Sequence, residues 1–484
     1  MRQHRRKHKQ GVSAASLRRV SLLHAVHFHA CEPHCIKVTD SANTRIARQR
    51  FPFDACEPHC TLQETMPPAL LQITGDTLRY WRAFAYYARG GAFAGSHEKF
   101  FDGDRRQACH VFGAALAIRM WHRPHYRTTS YAADLRANLS NVAVPGTGMA
   151  LSKVCVMRPV AVGFLLLGAP CWSFVAAVAK AKRDTGSYFS LRKIAENYRE
   201  QLLKPRDWFS LWRTNSRLAA WHSLCVKKET NGWGDYDMEN KWAFIEKGRN
   251  KGVAVSPVLE TPALCIKHKN EEGGMGIHFF RNALEGGDWI LQEVMQNEAF
   301  VASLLPEHAP LSTFRVMTAS RLGLSSKENT IEAISCVFRA GRKGAATDHD
   351  SILFDVDVKT GKIGRGTTNM QWYRLGLKNC LIGGVRWAPP PDILDHPDCP
   401  GKRVTGAIVP DFQKRVAALA TEAHRKLLPT VPLAGWDVVL SRDHGACLLE
   451  VNLSCNFFRG SFDETKYVEF IGDYFEDCDA RGAL

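Results

Sequence analysis

The stretch from Gly435 to Asn452 constrains this chain more than any other. Gly435-Trp436-Asp437-Val438-Val439 and Leu448-Leu449-Glu450-Val451-Asn452 are apolar runs joined by a polar turn at Ser441–Gly445, which predicts an antiparallel hairpin. Side chains alternate faces along a strand, so Glu450 and Asn452 share one face and the hairpin brings Asp437 opposite them. Two carboxylates and an amide oxygen are hard oxygen ligands, the set that holds magnesium against nucleotide phosphates. An acid that merely solvated a strand would not need such apolar neighbours.

Upstream, Ala263 to Phe280 reads as a strand ending at Lys267, a loop containing Gly273, Gly274 and Gly276, and a returning strand from Ile277. Backbone without side chains can approach phosphate oxygens closely, and a strand-end lysine adds compact positive charge. Trp289 to Val294 reads as a short apolar strand carrying Gln292 and Glu293. Two further strands, one around Arg315 and one closed by Arg339, flank a polar tip at Ser325–Asn329. Pairing them antiparallel sets the two arginines near one another. Such a pair suits a carboxylate or phosphate, the alternative being solvated surface charge.

The 484 residues allow two or three domains and a large core, and 45% hydrophobic with 23% charged residues is a globular composition. The net charge of +16 is placed unevenly: residues 1–50 hold eleven Lys or Arg against two acids, whereas residues 159–484 hold 41 against 38. A nucleic-acid-binding enzyme would carry its basic patch on the folded domain, so the chain is read as binding no nucleic acid. Fifteen scattered cysteines suit reduced thiols better than a disulfide framework. The repeat Ala-Cys-Glu-Pro-His-Cys, at Ala30–Cys35 and Ala55–Cys60, reads either as a zinc site from Cys31, Cys35, Cys56 and Cys60 (or with His34 and His59) or as a duplicated unstructured segment.

Met1 to Ala30 is basic and lacks acids, as a transit peptide or a basic tail would be. Pro159 to Ala179 runs 21 residues without a charge, long enough as a helix to cross about 30 Å of bilayer. It reads as a membrane anchor or a buried core helix. From Met149 the layout is also that of a signal peptide, which would leave residues 1–148 outside the working protein. Apolar residues at helical spacing, Ile194, Tyr198, Leu202 and Leu203, predict a helical lead-in. The expected division is thus a basic region of little structural pattern at 1–148, a hydrophobic segment at 149–183, helices at 184–234, a chemical domain at 235–460 and a tail at 461–484. The expected location is an organelle or a membrane that the chain crosses once, with the chemical domain in a reducing compartment.

Lys241, Lys267 with its glycine loop, Gln292-Glu293-Val294, Arg315, Arg339, Asp437 and Glu450-Val451-Asn452 occur in an order and approximate spacing that resembles the ATP-grasp superfamily. Phe338-Arg339-Ala340-Gly341, Asp348-His349, His396-Pro397-Asp398 and Gly435-Trp436-Asp437 look most like its sugar-transfer-associated, alpha-L-glutamate ligase-related branch. The likeness spans about residues 235–460 and implies an α+β fold of two lobes clasping ATP. It implies that Lys241, Lys267 and the Gly273–Gly276 loop contact phosphates, that Gln292, Glu293 and Val294 form the adenine hinge, and that Asp437, Glu450 and Asn452 bind Mg2+. Arg315 and Arg339 would hold the acyl phosphate or a substrate carboxylate. The activity implied is ATP-dependent joining of a small carboxylate to an amine through an acyl phosphate, on a sugar-linked or peptide-like substrate. A noncatalytic nucleotide-binding adaptor at a membrane and a phosphotransferase on the same fold are the alternatives. His349, Cys399-Pro400-Gly401 and Leu453-Ser454-Cys455-Asn456 depart from the branch around the acceptor site, so the resemblance does not name the acceptor.

Overall fold

Alternation along the strands builds a sheet with two unlike faces. The computed structural model describes residues 67–140, 151–153, 157–206, 208–271, 275–324, 330–347, 351–368, 393–454 and 460–484, all within one unit, Cys60–Leu484. The strands are β1 (Ala263–Lys267), β2 (Ile277–Arg281), β3 (Thr313–Ser320), β4 (Ile331–Ala340), β5 (Ile352–Val356), β6 (Ile363–Thr368), β7 (Leu433–Ser441) and β8 (Gly445–Asn452). β1 and β2 form a separate hairpin, and the other six make an antiparallel sheet in the order β6-β5-β4-β3-β7-β8. On one face Phe314, Val316, Phe338, Phe354, Trp436, Val438 and Leu440 are fully buried in a single core. The opposite face carries Arg315 and Asp437, and farther along β3 and β7 it offers Met317, Ala319 and Leu433 to a second core.

The helices divide between these cores. The first four are α1 (Pro68–Ala88), α2 (Ser96–Phe101), α3 (Arg105–Arg119) and α4 (Tyr131–Ser140), followed by α5 (Arg158–Gly163) and α6 (Ala169–Thr185), which a π turn at Phe164–Gly168 joins into one helix. Then come α7 (Leu191–Leu203), α8 (Trp208–Thr230), α9 (Lys241–Asn250), α10 (Ala299–Leu304), α11 (Ala418–Leu427) and α12 (Glu464–Arg481). Ala420, Ala423 and Leu427 of α11 and Phe244 and Ile245 of α9 cover the apolar sheet face. The second core is helical and aromatic. Phe112 lies with its ring centroid 5.0 Å from Phe93, Tyr87 and Phe475 and 5.4 Å from Trp221.

This helical core corrects two expectations. Residues 68–140 are not a region of little pattern: α1 and α3 bury Tyr80, Phe84, Tyr87, Val111, Phe112 and Leu116 against Phe475, near the other end of the chain. The sequence hides this because α3 is Ala-rich and the helix that closes its core, with Phe475, lies more than 350 residues away. The segment 461–484 is likewise a packed helix, α12, capped by Asp463 at Thr465 and Lys466 N–H and ended by Gly482 at φ 61°. Trp289–Val294 is a further correction. It belongs to neither sheet: Trp289 makes an isolated parallel bridge with Asn282, through Ala283 N–H to Trp289 O (2.6 Å) and Trp289 N–H to Arg281 O (3.3 Å), and Leu259 N–H donates to Leu291 O (2.8 Å). The lead-in helices and the strands around Lys267, Arg315, Arg339, Asp437 and Glu450 form as expected. The cysteine repeat, Met1–Ala30, Ser325–Asn329 and Asp348-His349 lie outside the described residues.

Beneath the sheet, α11 contributes one buried polar group. Trp436 Nε1–H donates to Thr318 Oγ1 (2.8 Å), which bonds His424 Nδ1 (2.7 Å), while His424 Nε2–H donates to Val431 O (2.9 Å). Burial pushes the His424 imidazole down from 6.5 to about 4, and burial with Arg481 nearby pushes His222 down to about 3. Both stay neutral in the fold while the unfolded chain takes up protons below pH 6.5, so their contribution to stability is lost as pH falls from 6.5 toward 4. Melting temperatures are therefore expected to drop across that window, and His424→Gln, though less stable at neutral pH, to give a shallower slope. An unchanged slope in both His424→Gln and His222→Gln would refute this assignment.

Candidate functional site

The register of four strands assembles the site. Arg315 pairs with Asp437 across β3 and β7, Asp437 with Glu450 and Gly435 with Asn452 across β7 and β8, and Thr313 with Arg339 across β3 and β4. A register shift between Asp437 and Val438 leaves Leu449 as the extra residue of a bulge beside Glu450. Bulges re-aim neighbouring side chains, and this one keeps Glu450 on the charged face while Leu448 and Val451 enter the apolar core.

Asp437 is the inner member. Arg315 donates from Nε to Asp437 Oδ1 and from Nη2 to Oδ2 (2.8 Å), and Arg339 Nη1 reaches Oδ2 at 3.5 Å. Burial pushes the Asp437 carboxyl up, but the charge and hydrogen bonds of Arg315, joined by Arg339, outweigh it and hold the pKa below the usual carboxylate value. Asp437 is therefore ionised. Glu450 is the outer member, with its side chain 28% exposed against 4% for Asp437. It accepts from Asn452 Nδ2 (3.3 Å) and from Lys241 Nζ (3.0 Å).

Lys241 is placed by its own helix. Asn240 caps α9 by accepting from the Trp242 and Ala243 N–H groups, which sets Lys241 in the first turn, where the helix end adds partial positive charge. Just before it, Glu239 accepts from Leu453 N–H (2.6 Å), directly after Asn452, and pairs with Arg127 (3.2 Å). Arg127 in turn grips Asp134 at 3.0 and 3.1 Å. This chain of ion pairs fastens the end of β8 to the helical part. Sequence reasoning passed over Glu239, although an acid two residues before a predicted phosphate lysine was visible.

It also passed over Asp355. That carboxylate lies in the same cross-strand row as Val337, Arg315, Asp437 and Glu450, and it accepts from Ser461 N–H (2.6 Å) and from the Ser461 hydroxyl. The returning chain comes very close to the sheet here: a Cβ on Gly460 would sit 2.0 Å from Ser335 Oγ. His396 and Asp398 brace a turn, Asp398 accepting from Arg342 Nε and Nη2, both at 2.6 Å, and His396 Nε2 meeting Gly341 O at 3.1 Å.

The remaining predicted residues lie apart from this cluster. Lys267 ends β1 opposite Ile277, on the separate hairpin, and no described contact joins it to Asp437 or Glu450. Gly276 has φ +65°, and a Cβ there would meet Glu271 Oε2 at 2.5 Å, so the turn requires glycine. Gly273 and Gly274 lie outside the described residues. Gln292 Nε2 donates to Ser256 Oγ (2.7 Å) and Pro257 O (2.9 Å), Glu293 pairs with His444, and Val294 is 93% exposed.

Among the described residues no group of three or more His, Cys, Asp or Glu side chains could hold a metal. With three cations against two carboxylates, the cluster repels a bare divalent ion. A cation that arrives with phosphates fits, because magnesium takes only one or two protein carboxylates when phosphates complete its shell. Glu450 and Asn452 would hold it, since both oxygens of Asp437 are turned to Arg315. No protein-family model, curated protein or solved structure matches the chain.

Removing Arg315 leaves a buried carboxylate with only the longer contact to Arg339 to match its charge. Arg315→Ala is expected to cost about 3–5 kcal/mol in denaturant unfolding. Asp437→Asn combined with Arg315→Ala is expected to cost clearly less than the two single changes added together.

Proposed function

We propose that this chain is an ATP- and magnesium-dependent carboxylate–amine ligase of the ATP-grasp kind, acting through an acyl phosphate. The observation that carries the reading is the placement of Glu450 beside Asn452, opposite Asp437 and Gly435, with Lys241 on Glu450 and Arg315 and Arg339 behind. A polyphosphate needs cations and a metal-holding oxygen pair on one surface, and these residues supply both. The separate β1–β2 hairpin with Lys267, and the strand-free run Gln292–Val294, suit a second lobe and its hinge.

In this reading Lys241 neutralises phosphate charge from the start of α9. Bound magnesium would add charge neutralisation on the transferring phosphoryl group. Arg315 and Arg339 present donors to the acyl phosphate or to the substrate carboxylate, and Asp437 keeps both guanidiniums in place before any ligand arrives. The carboxylate oxygen attacks the γ-phosphorus and ADP leaves. The amine then attacks the acyl carbon, loses its proton and expels orthophosphate. The chain's residues are needed for charge and position more than for proton transfer.

The full chain, incubated with MgATP and pooled small carboxylates and amines, is expected to release ADP and orthophosphate in equal amounts. Phosphate retained on an acceptor would instead mark a phosphotransferase, and no ADP from any mixture would mark a nucleotide-binding protein without this chemistry. Glu450→Gln is expected to lower kcat by about a hundredfold. Magnesium alone is expected to leave the melting temperature unchanged, and MgATP to raise it.

A further inference from the structure

The helix Arg158–Thr185 holds an uncharged stretch, Pro159–Ala179, yet only 33% of its most apolar part is buried. One side is packed: Ala161, Leu165, Ala176, Ala177 and Ala181 lie in the helical part of the fold. The other side presents Val160, Phe164, Leu167, Cys171 and Phe174, spaced three or four residues apart, with Leu167 65% exposed. Phe174, at one end, meets Tyr198 of α7 edge-on (6.3 Å) yet stays 42% exposed, and Leu167 faces outward beyond it. A contiguous apolar stripe of this length is not a neutral surface.

The packed side argues against a span. At the π turn, where the helix ladder is interrupted, the Tyr80 hydroxyl donates to Leu165 O (3.0 Å) and the Trp81 indole to Leu166 O (2.7 Å). Asp76 and Arg199 tie α1 to α7 at 3.0 Å, and Thr77 bonds Tyr198 at 2.6 Å. The helix is thus one member of a three-helix layer whose other members carry Arg79, Arg82, Arg192, Lys193, Glu196 and Glu200. Burying those charges in hydrocarbon would be costly.

Charge completes the picture. Arg158 stands at one end of the apolar stripe, and Lys180, Lys182 and Arg183 stand at the other, against the single acid Asp184. Aromatic rings flank it: the amphipathic Trp81 and Tyr188, and the apolar Phe189, the last 87% exposed. An apolar stripe between cationic ends with aromatic edges is the pattern of a helix lying in the interface of a bilayer with anionic headgroups.

We propose that the Val160–Phe174 stripe docks the protein flat on an anionic phospholipid surface, with the helix parallel to the membrane and not across it. The surface lies on the helical part, so this holds or fails independently of the ligase reading.

The test is vesicle flotation of the full chain, with phosphatidylcholine alone and with added phosphatidylserine. Flotation is expected only with phosphatidylserine, reversed by high salt and by alkaline carbonate. L167E/F174E is expected to weaken it about tenfold, and L167E alone, which leaves the Phe174–Tyr198 contact in place, to weaken it at an unchanged melting temperature. R158E/K180E, which leaves the apolar stripe intact, is expected to abolish the preference for phosphatidylserine. Absence of flotation overturns the proposal, and so does L167E/F174E floating like the parent. Resistance to alkaline carbonate would mean a span. A lipid-free dimer that L167E dissolves, without vesicle binding, would assign the stripe to a second copy of the chain.

Discussion

A carboxylate buried in the middle of a sheet is tolerated only when its charge is matched on the spot, and Asp437 is matched by Arg315 from the adjoining strand. The pair joins β3 to β7, near the centre of the six-stranded sheet. Slipping either strand by one residue would drive the charged partner into the face occupied by Phe314, Val316, Trp436 and Val438. Register is therefore fixed by charge as well as by the hydrophobic pattern. Glu450 and Asn452 take their places from β7, and Arg339 takes its place from β3, so every strand residue of the cluster is positioned through this one interaction, and Lys241 alone is set by its helix.

The same sheet face serves two purposes along its length. At Met317, Ala319 and Leu433 it is covered by the helical core, and at Arg315 and Asp437 it carries the charged cluster. The junction is secured by polar contacts: Tyr474 OH donates to Ser320 O (2.6 Å), and the Asp134, Arg127 and Glu239 chain ends on Leu453 N–H. Burial pushes the Glu239 carboxyl up against the opposing pull of Arg127, whose own side chain keeps part of its surface in water. The helical part consequently sets where Lys241 and the end of β8 stand.

What could be read from the chain depended on the range of the interaction. The β7–β8 hairpin and the pairing of Arg315 with Arg339's strand are local in sequence, and alternation alone predicts which residues share a face. The bulge at Leu449 is invisible to that pattern, although it decides that Glu450 and Leu448 point apart. The aromatic core was hidden because Phe93 and Phe112 meet Phe475 only after more than 350 residues, and helical periodicity in Ala-rich α3 is weak. Trp289–Val294 has strand composition but bridges the chain after β2 only at Trp289, so tertiary context overrode propensity. Asp355 and Glu239 were missed for the same reason: nothing local marks an acid whose partner lies about 100 or 200 residues later.

Burial divides the labour between the two carboxylates. Displacing Arg315 from Asp437 would strand a charge that has almost no contact with water, and breaking such a pair typically costs about 3–5 kcal/mol. Displacing Lys241 from Glu450 disturbs a pair in which the lysine side chain is 65% exposed, and exposed pairs are worth about 0–1 kcal/mol. A cation arriving with a bound anion can therefore take Glu450 from Lys241 at little cost, leaving the ammonium free to turn to the anion. Asp437 stays where it is and holds the arginines at the back of the same surface. Exchange at the rim over a fixed charge pair at the base lets the cluster accept a charged ligand without unmaking the sheet that supports it.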